Sequence, residues 1–505
     1  MGAAASQSSG SEAALSDEER ARIFTPAGIH LCIADRFRPD VLSSFTSVSD
    51  EDLARASAAM EAGVSPECDR SIGCLLGLLV GDALGAPLEF HAVRYPDPNG
   101  GWEGGWSETP DAGFNAALWA NKGEDRATNR FGLEMGQWTD DGSMALCLAD
   151  SLLRHGGLHP QDLRQRFLLW WRLGLNNAFG HDPERRERMP WTGGASIGLG
   201  GTVSESLAEF MHAPSDYTSC GSVKSSGNGS IMRLAPIPIL YRRDPVGVLD
   251  AAWRQSKVTH QGDEAADCAR LLAWLCARAI RTGESKDALL DALVAFPATL
   301  YSTSCLASSA KEEPHADNSG LDLSDRDWRW RAPAYRYSAS RTRDDPGYVG
   351  SYAMDAMAMA LHIVHVSPSF EGALLMAANT CGDADTLAAI TGQLAGACFG
   401  AKAIPTAWAV AVERWDPLRT VRARAWLLHD APRPLPPSAL ERPSYPSWKA
   451  LEVAEAEEAR VATMDPRERY VPMTLGLPSN ADAEEEERAR RRQRAERFRA
   501  VADLV

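Results

Sequence analysis

Apolar residues return at helical spacing in eight stretches of the chain: 71–81, 143–154, 162–175, 264–281, 286–295, 352–366, 371–378 and 386–400. Runs of alternating β-branched residues closed by tight turns are almost absent, so the pattern predicts an all-α core. Two segments break it. Residues 92–135 are rich in Gly, Asn, Pro and Trp, and residues 302–350 in Ser, Asp and Arg around Asp327-Trp328-Arg329-Trp330. Loops of that length inside a domain are usually functional or disordered. The ends differ again. Residues 1–67 read as an N-terminal extension with an Ala/Ser/Gly-rich start expected to be disordered, followed by a helix cap at Ser16-Asp17-Glu18-Glu19. Residues 413–505 read as a Pro- and charge-rich C-terminal extension, with a linker marked by Pro432, Pro434, Pro436 and Pro437. It is expected to end in a charged helix paired along itself through Glu484/Arg488, Glu486/Arg490 and Glu487/Arg491.

Composition narrows the class. Among 505 residues, 52 Lys and Arg stand against 68 Asp and Glu, a net charge of −16, which argues against nucleic acid as a partner. An apolar fraction of 44% excludes wholesale disorder. The ten cysteines form no CxxC pair and no zinc-spaced cluster, so a reducing compartment is expected; the protein is expected to be cytoplasmic and a monomer. The apolar run Ile72 to Gly81 is about half of what a bilayer span needs. Met1-Gly2-Ala3-Ala4-Ala5-Ser6 matches the N-myristoylation pattern, so membrane association is expected only if Gly2 is lipidated, and then weakly; a plain small-residue tail is the alternative.

Chemistry concentrates at two helix starts. Thr139-Asp140-Asp141-Gly142-Ser143 precedes the apolar run from Met144, and Gly382-Asp383-Ala384-Asp385-Thr386 precedes the run from Leu387. Thr, Ser and Asp are common N-caps, but one cap serves a helix and each site supplies two carboxylates and a hydroxyl. Four converging carboxylates would repel one another unless protonated or neutralised. Hard oxygen ligands without Cys or His favour Mg²⁺ or Mn²⁺, held as a pair about 3.5–4 Å apart. Gly392, Gly396 and Gly400 recur every fourth residue in the second helix, giving a smooth face for close packing.

Three further segments are candidates. The apolar helix ending Gly81-Asp82 leads through Gly85 and Pro87 to Glu89, a candidate general acid or base, a further metal ligand, or only a surface acid after a turn. The turn Ser226-Gly227-Asn228-Gly229-Ser230-Ile231-Met232-Arg233 could offer backbone N–H groups to a diphosphate, or be a plain turn. His260, after Thr259, precedes a long helix, where a packing or capping role competes with a ligand contact.

In this order, the segments resemble the ADP-ribosylglycohydrolase family, which includes dinitrogenase reductase-activating glycohydrolase and the ADP-ribosyl-acceptor hydrolases; the resemblance spans residues 68–412. It implies an all-α orthogonal helical bundle with long loops and terminal extensions, and a cleft holding two Mg²⁺, or Mn²⁺ in some members. Thr139, Asp140 and Asp141 would bind metal from one side, and Asp383, Asp385 and Thr386 from the other. Glu89, with Asp140 and Asp141, would carry catalysis. Gly227, Asn228, Gly229, Ser230 and Met232 would hold the diphosphate and distal ribose, and His260 would line the substrate. The implied reaction is hydrolysis of an ADP-ribosyl linkage on a protein side chain or a small ester, through an oxocarbenium-like state. One departure stands out: many members have Asp-Ile-Gly where this chain reads Ser196-Ile197-Gly198, which weighs against arginine-linked ADP-ribose as substrate. A two-metal phosphohydrolase and a non-catalytic ADP-ribose-binding or structural member are the rival readings.

Overall fold

A computed structural model describes residues 47–89, 129, 131–180, 196–222, 225–310, 328–333, 335, 349–416 and 419–432. Among them there is no strand, only one isolated bridge between Gly227 and Tyr352. The chain enters through α1 (Asp50–Ala62) and α2 (Pro66–Gly85), then α3 (Asp140–His155), α4 (Pro160–Leu173) and α5 (Gly201–His212). Next come α6 (Pro236–Tyr241), α7 (Pro245–Lys257), α8 (Asp263–Thr282), α9 (Lys286–Asp291) and α10 (Tyr301–Ser308). The last five are α11 (Ala353–Val366), α12 (Phe370–Asn379), α13 (Ala384–Phe399), α14 (Thr406–Glu413) and α15 (Thr420–Asp430). The all-α class predicted from the periodicity is the class observed.

α2 is the central helix. Ser65 caps it by accepting from the Cys68 amide at 3.2 Å, and Pro66 fills its first turn. Every residue from Ser71 to Gly85 is buried, as an all-round apolar helix must be. Pro66–Leu88 is long and apolar enough to cross a membrane, with mean hydropathy 1.7, and its apolar stretch lies wholly inside the protein. The run Ile72 to Gly81 is therefore only the middle of a longer core helix.

The partner of α2 is α13, packed antiparallel with backbone against backbone. A Cβ added at Gly73, Gly77, Gly81 or Gly85 would stand 2.4, 2.3, 2.1 or 2.2 Å from the carbonyl oxygen of Gly396, Gly392, Ala388 or Ala384 respectively. The contact is mutual, since a Cβ on Gly392 or Gly396 would meet the carbonyl of Gly77 or Gly73 at 2.1 or 1.9 Å. The four-residue glycine period foreseen on α13 thus meets a matching period on α2. This interlock brings the C-terminal end of α2, with Asp82 and Glu89, beside the N-terminal end of α13.

The segments assigned by composition to the terminal extensions contribute to the same body. Val48 and Ala56 form a buried cluster with Ala423 and Leu427 of α15. Arg424 of α15 makes a buried ion pair with Asp150 of α3, Nε to Oδ1 at 2.8 Å and a terminal nitrogen to Oδ2 at 3.1 Å. Asp150 also accepts from the Ser47 amide and from Asn176. Within 302–350, residues 302–308 belong to α10, and Trp328 and Trp330 are buried, the Trp330 indole donating to the Leu306 carbonyl at 2.7 Å. At the end of 92–135, Asn129 is buried and its amide donates to the Pro87 carbonyl at 2.7 Å. The expected cap at Ser16, the charged helix at 481–505 and most of the two long loops lie outside the described residues.

Candidate metal centre and substrate loop

α3 and α13 both begin at the junction that the glycine interlock creates, and in neither does the N-cap side chain cap its own helix. Thr139 and Asp383 occupy the N-cap positions without a side-chain cap bond. Asp82 does that work for α3 from across the interface. Its carboxylate accepts from the Thr139 amide at 2.8 Å, the Thr139 hydroxyl at 2.8 Å and the Gly142 amide at 2.8 Å. Asp385 Oδ1 accepts from the Thr386 amide at 2.8 Å, but its Oδ2 and the carboxylates of Asp141 and Asp383 are left to face one another.

Two groups of three carboxylates result. Asp82, Asp141 and Asp385 each bring an oxygen to within 4.8 Å of the others, and so do Glu89, Asp383 and Asp385. Asp385 belongs to both. The Thr139 hydroxyl lies 3.2 Å from Asp385 Oδ2 and 3.3 Å from Asp141 Oδ2. Asp140 stands beside these groups, and Gly198 packs on it so closely that a Cβ there would lie 1.9 Å from Asp140 Oδ1. Thr386 turns its hydroxyl toward Met232 Sδ at 4.0 Å.

The electrostatics fit a cation. Burial, with the neighbouring carboxylates, raises the proton affinity of Asp140, Asp141 and Asp385 well above the ordinary carboxylate range. Burial holds Asp82 up at about 7 against the pull of its hydrogen bonds from Gly142 and Thr139. Asp141 Oδ1 is buried without a hydrogen-bond donor. Buried, mutually repelling, all-oxygen ligands with an unsatisfied lone pair suit a hard divalent ion.

The glycine-rich segment reaches this centre directly. Asn228 to Ser230 form one 3₁₀ turn, and Asn228 Nδ2 donates to Asp383 Oδ2 at 2.8 Å. The Asn228 amide is tied to the Ser351 carbonyl and that of Ala353 to Ser226, so the loop is anchored at the start of α11. The Ser230 hydroxyl points away, into a 2.7 Å bond with Ser256. Gly227 and Gly229 lie against the ring of His260, to which Cβ atoms would come within 3.4 and 3.0 Å. His260 is 2% exposed, and burial, then Arg233 and Lys257, push its pKa down to about 3, so the ring is neutral. Ser196, also buried, donates to the Trp171 carbonyl at 3.2 Å and places no carboxylate near Asp140.

Sequence reasoning passed over Asp82. The signal was present, since it is the one charged residue between Ser71 and Leu88 in an otherwise apolar helix, and such a residue is buried with partners or functional.

The comparisons with known proteins agree with this architecture. A family model described as ADP-ribosylglycohydrolase matches residues 64–435. The ADP-ribosylarginine hydrolase Tri1 of Pseudomonas putida (strain GB-1) is 30% identical over 344 residues, 67% of this chain and 73% of that protein. The ADP-ribosyl-[dinitrogen reductase] glycohydrolase of Rhodospirillum rubrum is 26% identical, covering 67% of this chain and 89% of its own length. Among solved structures, a chain of an ADP-ribosylglycohydrolase-related protein complex superimposes with TM-score 0.50 and 28% identity over 72% of this chain and 100% of that one. With a matched fold, a family model spanning most of the sequence and carboxylates gathered at two helix starts, the chain belongs to the ADP-ribosylglycohydrolase family.

Proposed function

We propose that this protein hydrolyses the glycosidic bond between ADP-ribose and a protein side chain or small ester acceptor, releasing ADP-ribose. The observation that carries this reading is the Asn228–Asp383 hydrogen bond, which joins a glycine-rich loop suited to a diphosphate to a centre suited to divalent ions. Thr139, Asp140 and Asp141 of one helix start, and Asp383, Asp385 and Thr386 of the other, would hold two Mg²⁺ or Mn²⁺ ions, with Asp82 orienting Thr139 and Glu89 within reach of Asp383 and Asp385. Bound there, the ions would supply positive charge to the ribose hydroxyls and to the water that attacks.

The chain's own groups do the rest. Gly227 and Gly229 let the loop backbone pack directly on His260, which closes that side with a neutral ring. Glu89 follows the 3₁₀ turn Ala86–Leu88 and stands beside Asp383 and Asp385. Its carboxyl would move a proton to the leaving acceptor or from water while the anomeric carbon passes through an oxocarbenium-like state. Ser196, bonded to the Trp171 carbonyl, brings no negative charge to pair with a guanidinium. Oxygen-linked ADP-ribose is therefore ranked ahead of the arginine linkage named for the Pseudomonas relative. A cytoplasmic, reducing setting is in keeping with nine free cysteines among the described residues.

The test is a panel of serine-linked, arginine-linked and O-acetyl ADP-ribose incubated with Mg²⁺. Release of intact ADP-ribose by the wild type, lost in Asp140→Ala, Asp383→Ala and Glu89→Ala, is the expected result. AMP as product would assign a phosphohydrolase instead. Calorimetric binding of ADP-ribose without turnover of any substrate would make the protein a binding module.

A further inference from the structure

Trp138 stands immediately before the ligand turn that starts α3, and it is held from outside that helix. Its ring is buried and packs so closely on Gly142 that a Cβ there would come within 2.7 Å of the indole Cδ1. The indole Nε1–H donates to the Asn176 carbonyl at 3.0 Å. Residues 139–142 are therefore fixed on two sides, by the Asp82 carboxylate and by an indole whose tilt one hydrogen bond sets.

Asn176 keeps its carbonyl in that direction at a conformational cost. Its φ is +63°, a left-handed backbone that few side chains adopt and Asn adopts most readily. The local turn, closed by the Asn177 amide on the Gly174 carbonyl at 3.0 Å, would accept Gly at 176 equally well. What Gly would lack is the side-chain bonding. Asn176 Nδ2 donates to Asp150 Oδ2 at 3.1 Å and to Cys147 Sγ at 3.4 Å, and Oδ1 accepts from a terminal nitrogen of Arg424 at 3.2 Å. Asp150 and Arg424 are buried and ion-paired, so a carboxylate takes the amide proton while a guanidinium gives to the amide oxygen, a pairing suited to a carboxamide. Strained backbone persists where its surroundings over-determine it in this way. Through two residues, α15 thus reaches the first ligand turn.

We propose that Asn176 is a positioning residue for the metal-binding turn 139–141, acting through the Trp138 indole and locked in place by the Asp150–Arg424 pair. This rests on the metal-binding part of the reading above. Thr139, Asp140 and Asp141 follow Trp138 directly. As Asp82, Asp141 and Asp385 ionise, their repulsion favours a splayed turn, and a rigid indole backing keeps the ligand oxygens where an ion needs them.

The experiment measures Mg²⁺ affinity of the full chain by titration calorimetry, with melting temperatures in chelator and in Mg²⁺. Asn176→Gly keeps the left-handed backbone accessible and removes the side-chain bonds, and Trp138→Phe keeps a ring against Gly142 and removes the N–H. Each is expected to weaken Mg²⁺ binding about tenfold and to shrink the rise in melting temperature that Mg²⁺ gives. The double variant should bind no worse than the weaker single one, because both cut the same relay. In spectra of nitrogen-15 tryptophan-labelled protein, the indole resonance missing from Trp138→Phe should shift in Asn176→Gly. Trp330→Phe removes a buried indole bond to the Leu306 carbonyl; it should lower melting in chelator and in Mg²⁺ alike and leave Mg²⁺ affinity unchanged. Wild-type affinity in both single variants would make the contacts structural only and overturn the inference, as would additive losses in the double variant or an indole resonance indifferent to Asn176→Gly. The predicted losses without turnover of any ADP-ribosyl substrate by the wild type would uphold the inference and sink the hydrolase reading alone. A wild type that binds neither Mg²⁺ nor Mn²⁺ would overturn both.

Discussion

Asp82 accepts three short hydrogen bonds from the first turn of α3 while standing among the carboxylates that would hold the ions. Asp82→Asn keeps its shape but turns one acceptor into a donor that must face an amide N–H. The expected outcome is a 10- to 100-fold loss of divalent-ion affinity, as for other groups that orient metal ligands. Titration calorimetry checks it, and unchanged affinity would remove Asp82 from the site. Thr139, Asp141, Asp383 and Asp385 were legible in the sequence because two helix starts carried more acid than capping requires. Asp82 was not, because its partners lie 57 and 60 residues away and a lone acid in an apolar helix announces burial without naming a partner.

At the scale of elements, the eight apolar stretches read from periodicity all became helices. The shorter or more polar ones, α1, α5, α7, α10, α14 and α15, escaped notice because their apolar faces are narrow or their flanks rich in Pro and charge. The glycine period on α13 was visible, yet its pairing with α2 was not, because register between distant helices is settled by tertiary packing. The interlock makes a sharp prediction. Gly77→Ala or Gly392→Ala places a methyl about 2 Å from a rigid carbonyl and is expected to lower stability by about 1–3 kcal/mol through overpacking. Gly201→Ala, on a helix with open space around it, is the control and should leave the melting temperature nearly unchanged or raise it slightly. Equal melting temperatures for all three variants would mean that the helices part easily.

For the molecule as a whole, stability should depend on pH and divalent ions together. Asp82, held up at about 7, is protonated in the fold where the unfolded chain would already be ionised. Its contribution is full at low pH and is lost as pH rises from about 4 through about 7, and Asp140, Asp141 and Asp385 act in the same direction. His260 opposes them: its depressed pKa contributes stability above about 6.5 that is lost as pH falls toward about 3. Each such proton changes stability by about 1.4 kcal/mol per pH unit within its window. In chelator the melting temperature is therefore expected to fall between about pH 5.5 and about pH 8, and added Mg²⁺ should abolish that fall. A metal-free melting curve flat across the range would contradict the buried-carboxylate account. The glycine interlock also sets a timetable for synthesis. Asp385 follows Asp82 by 303 residues, so α2 waits on the order of 15–60 s, at about 5–20 residues per second, before its partner leaves the ribosome. For that interval a helix apolar enough to pass for a membrane span has no backbone to close against. Nascent chains that stop short of α13 should be insoluble, and shielding α2 by chaperones should govern how much protein reaches the folded state.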